Sequence, residues 1–155
     1  TASMALQARL QQAQKLESLG RLAGERDLEQ LMSLCRGFAA DVGENVTIDA
    51  DTWPRTRFAD KGYTFWETPD GTPVSMAGLN PMVAGLSQVD PVYTPAALRG
   101  HGYAAAATVE VSRAALAAGA TDVVLFTDAA NPTSNALYRR LGYVPVADWS
   151  GYAFA

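Results

Sequence analysis

The residues best equipped for chemistry stand in one run, Val92-Tyr93-Thr94-Pro95-Ala96-Ala97-Leu98-Arg99-Gly100-His101-Gly102-Tyr103-Ala104. A short apolar stretch ends in a Thr-Pro turn, passes through Arg-Gly-His-Gly and opens into an alanine-rich helix. Glycines at the start of a helix leave backbone N–H groups uncovered, where the helix dipole already favours negative charge. Arg99 adds a planar cation suited to phosphate oxygens. The physical reading is a site for a phosphate-bearing ligand; the plain alternative is a turn that happens to hold two glycines. The chain has one histidine, His101, and one cysteine, Cys35. Disulfides within the chain, thiolate zinc sites and multi-histidine metal sites are therefore excluded, and no metal is expected.

Elements that would position this run can be read on either side of it. Residues 5–19 follow a helical stripe through Leu6, Leu10, Ala13, Leu16 and Leu19. Gly20 to Ala23 reads as a short strand. Asp27 is placed to cap a helix from Leu28 to about Asp41, whose stripe of Leu28, Leu31, Met32, Cys35, Phe38 and Ala39 makes Cys35 a core residue. Gly43 ends that helix. Asp51 is expected to cap a short helix carrying Trp53 and Phe58. The runs Tyr63–Glu67 and Pro73–Leu79 flank Pro69-Asp70-Gly71, a hairpin turn. Met82 to Tyr93 supplies a third strand, kinked near Gly85 or Pro91. A helix from about Gly100 to Ala118 follows, closed by Gly119. Asp122 to Asp128 reads as a strand buried on both faces. Asn131-Pro132 opens a helix that runs through Leu141 and stops at Gly142. Tyr143–Val146 and Ser150–Phe154 read as two closing strands.

Composition narrows the class. The 155 residues suit one domain with a substantial core. A net charge of −4 with scattered basic residues argues against a nucleic-acid or anionic-membrane partner. No apolar run is long enough to span a bilayer, and the N-terminal residues do not resemble a secretory signal. The expected location is cytoplasmic. Thr1-Ala2-Ser3 before Met4 reads as a tag remnant, so residues 1–19 are taken as that remnant plus an N-terminal helix or linker.

Order and spacing together carry a resemblance. Strand, two helices, an antiparallel meander, glycine turn, helix, strand, helix and two strands resemble the GCN5-related N-acetyltransferase (GNAT) fold over residues 20–155. Its class is α/β (α+β), a mixed, mostly antiparallel sheet flanked by helices. The run from Val92 to Ala104 is similar to the family's acyl-CoA pyrophosphate loop, with the first position of its Gln/Arg-x-x-Gly-x-Gly/Ala pattern placed on Ala97. Asn131-Pro132-Thr133-Ser134-Asn135-Ala136-Leu137-Tyr138-Arg139-Arg140-Leu141-Gly142-Tyr143 resembles the family's second motif. The resemblance implies acetyl-CoA as co-substrate. It implies cofactor contacts from Val92, Tyr93 and Thr94 to the pantetheine arm, from Arg99, Gly100, His101, Gly102, Tyr103 and Ala104 to the pyrophosphate, and from Asn131 and Tyr138. It implies Tyr138 as the acid that protonates the departing thiolate; a phenol with an ordinary pKa of about 10 is protonated at neutral pH. The alternative for Tyr138 is an aromatic packing on the sheet, and for Asn131 a helix N-cap. The family's glutamate base falls on Leu86 by spacing, leaving Asp90, Glu67 or water. Trp53, Trp66, Tyr63 and Trp149 are candidate aromatics for the acceptor.

The implied activity is direct acetyl transfer to a primary amine of a small molecule or peptide. The alternative is an acyl-CoA-binding sensor or scaffold without turnover. Residues 5–24 locally resemble the dimerisation helix of sensor histidine kinases, but Glu25-Arg26-Asp27 stands where a histidine-aspartate segment is expected. That helix is read as a contact for a homodimer or an intramolecular partner. The loop also fits G-x-G-x-x-A, but a dinucleotide fold needs a parallel strand running straight into the first glycine, and here a turn and hairpin-linked strands precede it.

Overall fold

The computed structural model describes residues 19–127 and 132–145. The chain forms β1 (Leu19–Leu22), α1 (Leu28–Asp41), β2 (Gly62–Glu67), β3 (Pro73–Leu79), β4 (Leu86–Tyr93), α2 (Tyr103–Ala117), β5 (Asp122–Leu125) and α3 (Pro132–Arg140). The strands make one sheet in sequence order, antiparallel from β1 to β4, with β5 parallel to β4. The expected helix over residues 5–19 lies outside the described residues except for Leu19. That residue pairs with Glu67 in β1 and so belongs to a strand.

Local chemistry accounts for the element ends. α1 buries Leu31, Met32, Leu34, Cys35 and Ala39. It closes on Gly43 with φ +76°, where the Glu44 N–H reaches the Ala39 carbonyl at 2.8 Å, the glycine-terminated helix end that left-handed backbone permits. Asp27 is the N-cap of α1 as expected, but its side chain makes no bond into the helix. Its carboxylate instead accepts from the Gly24 N–H at 2.7 Å and from Arg21, which holds its pKa at about 2. Asp51 is not the cap of the next turn. Asp49 and Thr52 exchange reciprocal bonds, the Asp49 N–H to Thr52 Oγ1 at 3.0 Å and the Thr52 N–H to Asp49 Oδ1 at 2.8 Å. Only Trp53–Arg55 is helical there, as one 3-10 turn.

The hairpin forms as read, with Gly71 in the left-handed region between β2 and β3. β4 is shorter than expected. Val83 and Leu86 exchange backbone bonds across Ala84 and Gly85, both at positive φ, so Val83 to Leu86 makes a turn and the strand starts at Leu86. β5 is half-buried and ends at Leu125, with Phe126 54% exposed, not a strand buried on both faces. Tyr143 to Pro145 is described without a strand ladder; the rest of the two closing strands lies outside the described residues.

Two apolar layers sandwich the sheet. One, under α1, holds Leu31, Cys35, Phe58, Tyr63, Phe65 and Met76. The other, under α2, holds Trp66, Val74, Val89, Ala107, Val109, Val111 and Leu141. A fully buried side chain of this size contributes about 1.5–3 kcal/mol. β2 is buried from Tyr63 to Glu67 because both its flanks are paired and both its faces are covered.

Candidate active site

β4 is paired differently along its two edges. Its bonds to β3 run on to Val92 and Tyr93. Its bonds to β5 stop at the Val89–Leu125 pair. From Asp90 to Thr94 the edge facing β5 has no strand partner among the described residues. Pairing with β3 also skips here: Ala77 faces Val92 while Leu79 faces Val89, so β4 carries one extra residue at Asp90-Pro91, a bulge that re-aims the strand. An open strand edge is where an extended ligand can add main-chain bonds.

The open edge leads into the glycine turn. After a 3-10 turn at Ala96–Leu98, Gly100 and Gly102 take φ +83° and +79°, and Gly102 is the N-cap of α2. The Ala106 N–H reaches the Gly102 carbonyl at 3.1 Å, the first bond into α2. The N–H groups from Gly100 to Ala105 have no acceptor among the described residues. A Cβ built on Gly100 or Gly102 meets nothing within 4 Å. Left-handed backbone, free donors and open space above them fit a pyrophosphate held by main chain alone. With Gly102 at the N-cap, the family pattern falls on Arg99, Gly102 and Ala104. Ala97 therefore does not head it, because it lies in the preceding 3-10 turn.

The side chains of the loop are engaged with the protein. The Arg99 Nε donates to the Thr94 carbonyl at 2.9 Å and its Nη2 to Asp41 Oδ2 at 2.5 Å, with the guanidinium 5.9 Å from the Tyr93 ring centre. Arg99 thus ties the loop to the end of α1. The exposed His101 stacks on Tyr103 at 5.4 Å, and its Nδ1 stands 3.1 Å from the Leu98 carbonyl. Thr94 is buried, its hydroxyl 2.8 Å from Ser75 Oγ.

Tyr138 stands on α3 and packs against the apolar layer under α2. Its ring meets Tyr143 edge to face, centres 6.2 Å apart at 72°. Burial, then the neighbouring Tyr143, pushes its pKa up to about 12, so the phenol keeps its proton at any physiological pH. Asn131 lies outside the described residues, as does Trp149.

Neither proposed carboxylate base is free. Asp90 Oδ2 is 2.9 Å from both Lys61 Nζ and Arg57 Nη1, and Arg57 also pairs with Glu44. Lys61 donates to the Asp90 carbonyl as well, at 2.9 Å, and its side chain is only 6% exposed. Glu67 binds Arg21 through both oxygens, at 2.8 and 3.0 Å. Two cations on one carboxylate, or a guanidinium fork across both oxygens, already occupy the lone pairs a base would offer. Leu86 is 43% exposed at the far end of β4, paired with Asp122. Among the aromatic candidates, Trp66 and Tyr63 are core residues, 1% and 3% exposed, and cannot meet an acceptor. Trp53 is half-buried against the layer under α1.

Sequence reading missed four partners: Asp41 for Arg99, Arg57 and Lys61 for Asp90, and Ser112 for Tyr143. Ser112 carried a signal, since it falls on the buried stripe Ala107, Thr108, Val111, Ser112, Ala115 of an otherwise apolar helix face.

A parallel pair that parts beside a glycine-capped helix, in one mixed sheet flanked by helices, defines an α+β domain. The profile of the Acetyltransferase (GNAT) family matches residues 26–143, and the chain belongs to that family. A putative acetyltransferase from Agrobacterium tumefaciens strain C58 is similar at 26% identity and TM-score 0.65, over 88% of this chain and 99% of that one. AAC(6')-Iy, solved with the bisubstrate analogue CoA-S-monomethyl-acetylneamine, aligns at 15% identity and TM-score 0.66, covering 89% and 98%. A ribosomal-protein-alanine N-acetyltransferase from Brucella melitensis biovar Abortus 2308 aligns at 20% identity and TM-score 0.68, also covering 89% and 98%. No curated protein sequence matches the chain. No helix among the described residues is long and apolar enough to cross a membrane.

Proposed function

We propose that this protein transfers the acetyl group of acetyl-CoA directly to a primary amine. The observation that carries this reading is the parting of β4 from β5 at Val89, which opens a strand edge leading to the free N–H groups of Gly100 to Ala105. The pantetheine arm pairs with Val92, Tyr93 and Thr94, and the pyrophosphate sits on the glycine turn at the N-terminus of α2. The amine nitrogen forms its bond to the thioester carbonyl carbon, and the carbon–sulfur bond breaks. Tyr138 gives its phenolic proton to the departing thiolate; such proton transfer contributes about 10²–10⁴-fold. The proton lost by the acylated nitrogen goes to water, because Asp90 and Glu67 are held in ion pairs, and solvent returns a proton to Tyr138.

Free-thiol release from acetyl-CoA over an amine panel tests the reading. The panel includes an aminoglycoside and a peptide with N-terminal alanine, after the names of an aminoglycoside acetyltransferase and a ribosomal-protein-alanine N-acetyltransferase of similar structure. Release that depends on one amine class is the expected result. The same ion-paired carboxylates favour a second reading, an acyl-CoA-binding domain without turnover; binding of acetyl-CoA with no release on any amine would establish it.

A further inference from the structure

We propose that Ser112 and Tyr143 form a positioning pair that sets the place of Tyr138 relative to the cofactor helix. The proposal rests on the reading of Tyr138 as the acid. Tyr138 lies near the end of α3, where the chain turns at Gly142, and the Tyr143 N–H returns to the Tyr138 carbonyl at 3.0 Å. That bond fixes the backbone of one tyrosine to the other, and the edge-to-face contact at 6.2 Å fixes their rings. Tyr143 is in turn anchored elsewhere: its hydroxyl is 2.5 Å from Ser112 Oγ, on a side chain of α2 with no exposed surface.

The anchor matters because of the helix it sits on. α2 starts at the glycine turn, so its N-terminus sets where the pyrophosphate lies. Ser112 is on the face of α2 turned to the sheet, among Val109, Val111 and Ala115. Ser112 to Tyr143 to Tyr138 is therefore a chain of contacts from the cofactor's helix to the phenol. α3 has no fully buried residue of its own, and Leu141, just past its end, is the buried contact with the layer under α2. A part-buried hydroxyl pair that joins two elements gives directional restraint that apolar packing alone does not.

Turnover and CoA affinity are measured for Ser112→Ala, Tyr143→Phe and the double variant, each also in a Tyr138→Phe background. Tyr138 is followed by aromatic ¹³C resonances of the CoA-bound protein. The expected result is an about tenfold loss of kcat, equal in both single variants and no larger in the double, with CoA affinity unchanged. In the Tyr138→Phe background the same changes add nothing, and in the parent they move the Tyr138 resonance. Losses that add, losses that persist without the Tyr138 hydroxyl, or an unmoved resonance would overturn the pair. Should Ser112→Ala fail to fold, Tyr143→Phe alone carries the comparison, since it keeps the ring and removes only the hydroxyl. A Tyr138→Phe variant of undiminished rate whose parent resonance still answers to Ser112→Ala would retire the acid and leave the pair standing.

Discussion

Under α1, polar groups that reach the sheet are matched within the protein: the Tyr63 hydroxyl donates to the Phe58 carbonyl at 2.9 Å, and Arg21, Arg57 and Lys61 all hold carboxylates. Under α2 and at its N-terminus, several are not. The N–H groups from Gly100 to Ala105 lack acceptors among the described residues, the fully buried Thr108 hydroxyl has no partner there, and β4 offers an unpaired edge. Buried polar groups are normally satisfied, and the exceptions call for a reason. The difference supports the proposed division of labour: the α1 face holds the fold, and the open donors at the start of α2 are those the proposed function gives to the cofactor.

Two glycines put that contrast to its strongest test. Gly43 and Gly102 share positive φ, +76° and +79°, and open space at a built Cβ. Alanine at either costs about 1 kcal/mol of backbone strain and fits sterically. Glutamate separates them. Gly102→Glu puts a carboxylate where the proposed function seats the pyrophosphate and is expected to weaken CoA binding by more than about 100-fold in calorimetry. Gly43→Glu loses only stability. Equal CoA affinity in the two would end the assignment of the turn as the phosphate site.

Next in size come the tyrosines. Tyr138→Phe is expected to slow turnover about 100-fold with CoA affinity intact, whereas Tyr63→Phe leaves turnover alone and lowers stability by about 1–3 kcal/mol, because the Phe58 carbonyl loses its donor. With the Tyr138 pKa at about 12, its proton stays on throughout the usual assay range. A fall in kcat with an apparent pKa below about 10 would assign the acid role to another group.

A smaller effect separates the charged pairs. The Arg21 bonds, then the Gly24 N–H, outweigh the opposing effect of burial and bring the Asp27 pKa from 3.8 to about 2. A lowered folded pKa stabilises above the unfolded value and is lost as pH falls through the folded one. Arg21→Gln should therefore flatten the loss of stability between about pH 4 and pH 2 and raise the acid midpoint in a circular-dichroism titration. CoA affinity, read at neutral pH, should not follow.

How much of this was readable in the chain depends on range. Gly43 after a helical stripe, and Pro69-Asp70-Gly71 between alternating runs, act through neighbours a few residues away, and these elements appeared as expected. The Ala84-Gly85 turn did not, since an alanine at φ +51° gives no sign of itself inside an apolar run. The Trp53 turn starts from Thr52, braced by reciprocal bonds with Asp49 and not capped by Asp51, a choice of geometry among similar residues. β5 showed the apolar composition of a buried strand, yet its burial depends on what covers it. In the candidate site, the glycine turn was legible because backbone conformation is encoded locally. Asp41, Lys61 and Ser112 were not, since each partner stands 29 or more residues away from the group it holds, and no period links them.

The smallest expected effect is also the one that bears most directly on the contrast between the faces. Thr108 lies on α2 one turn before Ser112, with no exposed surface, and its hydroxyl lacks a partner among the described residues. An unmatched hydroxyl in an apolar layer costs about 1–3 kcal/mol, and valine has the same shape without it. Thr108→Val is thus expected to raise the stability of the unliganded protein by roughly 1 kcal/mol in urea titration, with an unchanged m value. The equivalent change under α1 has the opposite sign, because hydroxyls there are bonded. If Thr108→Val instead destabilises the protein, the hydroxyl has a partner after all and the α2 layer is as fully matched as the other. If it stabilises the free protein but weakens CoA binding, the orphan group belongs with the open donors of the glycine turn. If it stabilises both states alike, Thr108 lies outside the site, and the open capacity of this face is confined to the turn and the edge of β4.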